Sequence, residues 1–339
     1  MTEDSHPNAA SPIRIGFIGA GGMAQVSHIP NLRATPDVVL AAICDENIAR
    51  AASIAERYHI ETWSDDPEEM LKQTPLDCVI ITTPTITHLP LCQLALESGV
   101  DVMVEKPFAR SGEEAWRMVR SAEENQRLVM AGMNHRFRED VLMLKETLER
   151  EELGEIYMIA SGWLRRLGVW GRPYWFTDKN LAGGGVLMDL GLQMIDMALW
   201  MMDFPAVVES ACGCSHKLLE LDVEDSATVF MRFDNEATFL LEVSWANCAV
   251  RDIAYTFFSG SQGRAALNPL RLNRRQKDRV VAETPPQLGD DVELYRRSYM
   301  AEARHFIDCV RERTQPLSSG VEAAQVLQVV DQLYRSAGD

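Results

Sequence analysis

Short apolar runs at residues 13–19, 38–44, 78–82, 101–104 and 128–131 alternate with stretches of helical periodicity at 48–58, 67–72, 90–98 and 113–125. Runs without polar alternation suit strands covered on both faces, so this alternation predicts βαβ units around a parallel sheet. After Asn134 the pattern changes. A helix over 140–151 leads to a strand over 155–164, a loop rich in Gly, Trp and Arg, and a helix opened by Gly183, Gly184 and Gly185. Strand-like runs follow at 207–214, 227–233, 237–243 and 253–258 with no helix between them, as in a largely antiparallel sheet. Two amphipathic helices, 299–311 and 321–336, close the chain. The expected division is an α/β domain over 1–132 and an α+β domain over 133–339.

Composition narrows the partners. The 339 residues carry 33 Lys+Arg against 50 Asp+Glu, a net charge of −17. The acidic excess is spread over both halves, which argues against nucleic acid. At 46% hydrophobic residues the chain can bury sizeable cores. The first twelve residues lack the basic start and apolar core of an export signal, and no run approaches the ~20 apolar residues of a spanning helix. A soluble cytoplasmic protein without a membrane partner is therefore expected. The seven cysteines are odd in number and fall mostly in apolar runs, as reduced core thiols do. The one close pair, Cys212-Gly213-Cys214, reads as two strand residues on one face, and no metal is expected.

The chemistry begins where the first run ends. Gly19, Gly21 and Ala24 occupy the G-x-G-x-x-A positions of a strand–turn–helix. The first glycine permits a tight turn, the second lets the backbone of Gly21, Gly22 and Met23 approach a pyrophosphate, and Ala24 keeps the helix close to the sheet. The helix amino terminus adds partial positive charge. Asp45 ends the second run, 26 positions after Gly19, where a carboxylate can accept both adenosine ribose hydroxyls. That favours NAD over NADP, since neither Glu46 nor Asn47 offers a cation for a 2′-phosphate. Glu105-Lys106-Pro107 follows a later strand of the same sheet, where loops face the ligand crevice.

The combination of residues 15–24, Thr83-Pro84 with His88, Glu105-Lys106-Pro107, and the run Gly183-Gly184-Gly185-Val186-Leu187-Met188-Asp189-Leu190-Gly191 resembles the Gfo/Idh/MocA family of sugar and inositol oxidoreductases. The resemblance covers most of the chain. It implies a Rossmann domain followed by a domain whose large, mostly antiparallel open sheet faces a sister subunit in homodimers or homotetramers. It also implies hydride transfer between nicotinamide and a secondary alcohol or ketone of a sugar, sugar derivative or cyclitol. Lys106 resembles the family's catalytic lysine, and Asp189 the aspartate of its second catalytic helix. Where the family pattern expects histidine four residues on, this chain has Gln193. Asp189, Gln193 and Asp196 share one helix face by their spacing. A glutamine hydrogen-bonds a hydroxyl but carries no proton, so the acid/base work is expected to fall on Lys106, with Tyr174 or His135 as alternatives.

The loop over 163–176 concentrates aromatic and guanidinium groups, and Trp163, Arg165, Tyr174 and Trp175 are candidate substrate contacts or packing residues. Arg136 resembles a family arginine near the active site, with a structural ion pair as its alternative. The basic run Arg271, Arg274, Arg275, Lys277 and Arg279 reads as a solvated strand and turn. Two other functions stay open: a bound cofactor used transiently for elimination or glycoside cleavage, and a nucleotide-binding relative without catalysis.

Overall fold

The computed structural model describes residues 11–167, 174–283 and 288–338. Six parallel strands, β1 (Ile13–Ile18), β2 (Val38–Cys44), β3 (Thr62–Ser64), β4 (Cys78–Ile81), β5 (Asp101–Glu105) and β6 (Val129–Gly132), form a sheet in the order 3-2-1-4-5-6. This is the doubly wound arrangement, with the strand order reversing between β1 and β4. Strand β3 was not evident in the sequence: three residues of mixed burial, with Trp63 outward, leave too little apolar run to detect. Helices α1 (Ile29–Arg33), α2 (Ile48–Tyr58), α3 (Pro67–Gln73), α4 (His88–Glu97) and α5 (Gly112–Glu124) connect the strands, and α6 (Glu139–Glu149) and α7 (Lys179–Ala182) follow β6 and precede the glycine run. Asn47, Asp66 and Ser111 cap α2, α3 and α5 through side-chain oxygens that accept backbone N–H groups.

The second sheet has eight strands. Its centre is β7 (Ile156–Arg166) beside β10 (Thr238–Asn247), which run parallel, and every other pairing is antiparallel. Outward lie β9 (Ser226–Phe233) and β8 (Val207–Ser215) on one side, and β11 (Ile253–Gly260) through β14 (Arg279–Glu283) on the other. The basic run falls on β13 (Arg271–Gln276) and its turn into β14, as expected of a solvated hairpin. Its inner face, with Val229, Met231, Phe239, Leu241, Val243 and Trp245 buried, packs on α8 (Leu192–Met201), every residue of which is buried. Cys212 and Cys214 share a face of β8 with their sulfurs 3.8 Å apart. Among the described residues no group of three His, Cys, Asp or Glu is placed to hold a metal, and no helix is long and apolar enough to cross a membrane.

The chain's end returns to its beginning. Helix α9 (Asp291–Glu312) sends Ala303, Phe306 and Ile307 into the same buried cluster as Ile15, Phe17 and Ala24 of the first sheet. Helix α10 (Gly320–Ala337) packs on α5 and on β8, so it touches both halves.

Candidate active site

The cofactor candidates singled out from sequence, and Lys106 with them, lie along the carboxyl edge of the parallel sheet. Gly19 has φ +101°, and a Cβ there would lie 2.9 Å from the Thr82 carbonyl carbon, so the turn admits only glycine. The Thr82 hydroxyl donates to the Gly19 carbonyl at 2.8 Å and fastens the turn to the end of β4. A Cβ on Gly22 would meet nothing within 4 Å, and one on Gly21 only the Thr82 oxygen at 3.9 Å. Open space thus fronts the backbone at Gly21, Gly22 and Met23, while Ala24 is fully buried behind it. Such a cradle fits a dinucleotide pyrophosphate.

Asp45 follows β2. Its carboxylate accepts from Ala20 N at 2.8 Å and Asn47 N at 2.9 Å, which fixes both oxygens and leaves lone pairs for ribose hydroxyls. Arg50, one turn into α2, stands 3.3 Å from it and was not singled out from sequence. Thr83 and Pro84 follow β4. His88 is buried with its two ring nitrogens each 2.9 Å from a carbonyl, Thr83 O and Pro107 O. Burial holds this imidazole below the usual histidine range although both carbonyls favour its charge. His88 therefore braces the β4 loop against the β5 loop from beneath, and both of its nitrogens are engaged there.

Glu105 is buried, with one oxygen 2.6 Å from His28 Nε2 and the other accepting from Lys106 N at 3.0 Å. Burial alone would raise its pKa, but His28 and Lys106 outweigh that and the net shift is downward. His28 sits on the π turn Ala24–His28, the wider winding of which lies within the helix that opens at the glycines. Lys106 Nζ lies 2.6 Å from Asp189 Oδ1. Burial pulls the lysine down, yet Asp189 and then Glu105 more than offset it, leaving its pKa above the ordinary value. Trp245 Nε1 donates to the other Asp189 oxygen at 2.9 Å, and Gln193 Nε2 donates to the Asp189 carbonyl at 3.1 Å. Asp189 is thereby held in place by both sheets.

Asp189 rides on the π turn Leu187–Gly191 that leads into α8. The three preceding glycines are there for contact reasons. Gly183 has φ +88°, and a Cβ on Gly185 would sit 2.2 Å from the Glu224 carbonyl oxygen. The buried Glu224 carboxyl accepts from Gly185 N at 2.9 Å, Leu187 N at 2.9 Å and the Tyr334 hydroxyl at 2.7 Å. It satisfies the free N–H groups where the helix begins.

The remaining candidates divide. Trp163 on β7 packs edge-on against His135, ring centroids 5.5 Å apart. Trp175 and Phe176 form a ring cluster with the exposed Tyr174, and Phe176 continues it to Trp245 at 6.0 Å. Arg165 pairs with Asp252 at 3.1 Å. Gly168, Val169, Trp170, Gly171, Arg172 and Pro173 lie outside the described residues. Arg136 does not reach a substrate. It is 1% exposed, clamps Asp196 at 2.9 and 2.6 Å, and donates to Glu322 and Leu317 O, so every arm of its fork is spent inside the fold. Its structural alternative is the one realised, and with it Asp196 is accounted for. Besides Arg50 and His28, the site neighbours that escaped the sequence reading include Trp245, Glu224 and Tyr295, whose ring lies 6.1 Å from that of His135. Tyr295 could have been found, because Asp290 and Glu293 form an acidic capping pattern that starts α9 well before residue 299.

Residues 13–133 match the family described as "Oxidoreductase family, NAD-binding Rossmann fold", and residues 141–266 match the GFO/IDH/MocA C-terminal domain. The chain belongs to the Gfo/Idh/MocA family. Among relatives of this Gfo/Idh/MocA oxidoreductase, D-glucoside 3-dehydrogenase of Escherichia coli (strain K12) is 31% identical over 348 residues, covering 97% of this chain and 96% of the relative. The scyllo-inositol 2-dehydrogenase (NAD(+)) of Bacillus subtilis (strain 168) is 27% identical over 324 residues, covering 94% and 92%. A solved levoglucosan dehydrogenase in complex with NADH superposes with TM-score 0.87 at 22% identity over 97% of both chains, which supports the shared fold. The Gfo/Idh/MocA oxidoreductase described here is accordingly an NAD-dependent enzyme, and its glycine cradle with Asp45 suits that cofactor.

Proposed function

We propose that this enzyme transfers a hydride between NAD and a secondary alcohol or ketone of a sugar, sugar derivative or cyclitol, with Lys106 handling the alcohol proton. The observation that carries the reading is the Lys106–Asp189 ion pair at the carboxyl edge of β5, joining the two sheets in the crevice. The names of the two curated relatives, a glucoside and an inositol dehydrogenase, support the substrate class. Bound NAD supplies the hydride acceptor or donor. Gly19, Gly21, Gly22, Met23 and Ala24 would hold its pyrophosphate, Asp45 its adenosine ribose, and Thr83 and Pro84 would line the path toward Lys106.

In the reducing direction the Lys106 ammonium donates its proton to the developing alkoxide, stabilising the charge as it forms. In the oxidising direction Lys106 must first be neutral, then accept the hydroxyl proton. Asp189 orients the ammonium, and Gln193 hydrogen-bonds a substrate hydroxyl without exchanging a proton. Trp163, Tyr174 and Trp175 offer apolar faces to the C–H face of a ring. Two copies of the chain pair through the outer face of the eight-stranded sheet, where Phe230, Leu240, Ile253, Tyr255 and Phe257 present apolar surface.

The experiment is NADH formation across a panel of glucosides and cyclitols, followed by pH–rate profiles of wild type, Gln193→Ala and Gln193→His at saturating NAD. The expected result is that Gln193→Ala raises KM and keeps the pH dependence of kcat. Loss of turnover with unchanged KM would overturn the assignment of the proton to Lys106.

A further inference from the structure

His135 lies on the single turn Asn134–Phe137 after β6, and its neighbours hold that turn rigidly. Asn134 donates to Ser298 of α9 at 3.0 Å, and Arg136 is locked to Asp196. The half-buried ring stands edge-on to Trp163 at 5.5 Å and to Tyr295 at 6.1 Å. On a third side Gln193 and Lys106 are near enough to act on the charge of the ring. Ring nitrogen Nε2 is buried without a hydrogen-bond partner. A buried polar atom left unpaired beside a reaction centre asks for a partner that the protein does not supply.

We propose that His135 is a substrate-binding, specificity-determining residue that pairs with Gln193 to read a ring hydroxyl neighbouring the one held by Lys106. The inference rests on the sugar or cyclitol reading of the site. Burial first, then the charges of Arg138 and Lys106, lower the imidazole pKa to about 3 against the opposing Gln193 contact, so the ring is neutral at physiological pH. A neutral imidazole offers one N–H and one lone pair, and a carboxamide offers both kinds as well. A hydroxyl is also both donor and acceptor, so the pair matches a neutral polyol and gives a carboxylate or phosphate no charge to bind. Trp163 and Tyr295 flank the ring with apolar faces that suit the C–H groups of the same polyol. The histidine beside Lys106 and Gln193 thus comes from the turn after β6 and serves to select substrate, while position 193 on the helix carries an amide.

A site built to bond a hydroxyl penalises the analogue that lacks it, because the protein group is left unpaired. The test uses His135→Phe, which keeps the ring packing against Trp163 and Tyr295 and removes both nitrogens. kcat/KM is measured for the best substrate and each of its monodeoxy analogues. Wild type is expected to lose about 10²-fold on one deoxy analogue, and His135→Phe to shrink that ratio to about threefold, with NADH affinity and the pH dependence of kcat unchanged. A ratio unchanged at every ring position overturns the proposal, and so does a pH profile displaced by a unit or more, which would make His135 the proton carrier. If wild type oxidises no polyol, the functional reading itself fails. The His135 proposal is then read by titrating the NADH-bound protein with methyl glucoside and myo-inositol while following the imidazole C–H resonance that His135→Phe removes. A shift in that resonance supports the proposal, and none overturns it.

Discussion

Lys106 keeps its proton against burial because two carboxylates face it, Asp189 at 2.6 Å and the Glu105 carboxylate behind it. In the proposed mechanism the free enzyme therefore rests in the form that donates to a ketone. With the lysine pKa raised, the neutral fraction grows as pH rises, so oxidation should accelerate toward alkaline pH and reduction should slow. Lys106→Met removes both forms and is expected to lower turnover by about 10²-fold or more while leaving the NADH dissociation constant within a few fold. Turnover at the wild-type rate would take Lys106 out of the mechanism. At the other end of the cofactor, Asp45 also quenches Arg50, 3.3 Å away. Asp45→Ala is expected to cost NAD about 1–3 kcal/mol of binding and to release Arg50 for a 2′-phosphate. NAD and NADP titrations should then converge. A variant that still prefers NAD by the wild-type margin would show that the carboxylate does not set the choice.

The helix carrying Asp189 depends on how it starts. Glu224 comes from the segment before β9 and collects Gly185 N, Leu187 N and the Tyr334 hydroxyl in one buried carboxyl, whose pKa burial raises despite those donors. Glu224→Ala leaves three buried donors unpaired at about 1–3 kcal/mol each in the worst case. The melting temperature and kcat are expected to fall together, with NADH affinity retained, because the glycine cradle lies on other elements; unchanged kcat in a folded variant would separate the cap from Asp189. The glycine run and Asp189 were legible because they lie together in sequence. Glu224 was not, since a cap supplied from 39 residues away leaves no local pattern. The same distinction runs through the fold: β1, β2, β4, β5 and β6 showed as apolar runs and β13 as a basic strand and turn, whereas β12 (Gly263–Leu267) and β14, five residues each, are strands that only pairing reveals. Arg136 and His135 were both visible as residues, but their opposite fates, one clamped by Asp196 and one with a ring nitrogen left without a partner, rest on contacts from α8 that no local pattern announces.

Two surfaces matter at the scale of the whole molecule, the outer sheet face proposed to pair copies and the seam of α9 on the first sheet. If the apolar outer sheet face pairs two chains, Leu240→Glu at its centre, directly opposite Phe230 and Ala160, should yield monomers in sedimentation at micromolar concentration. An unchanged sedimentation coefficient would exclude that face. Inside, α9 closes the first sheet and brings Glu302 into its core fully buried, with neither carboxyl oxygen hydrogen-bonded. Nearby Glu105 has His28 and Lys106 to hold it ionised, while Glu302 has no cation, so burial first and then the Glu105 charge push its pKa well above the ordinary value. The folded protein therefore binds a proton at Glu302 that the unfolded chain releases near pH 4.5. This contribution to stability is fully present below that pH and is lost progressively as pH rises toward the folded pKa. Glu302→Gln keeps the shape and has no proton to lose. Its melting temperature relative to wild type should therefore climb between pH 4 and pH 8, where carrying the protonated acid costs wild type most. Thermal unfolding of both proteins across that range checks the sign, and a difference that stays flat with pH would mean that Glu302 does not hold the buried proton.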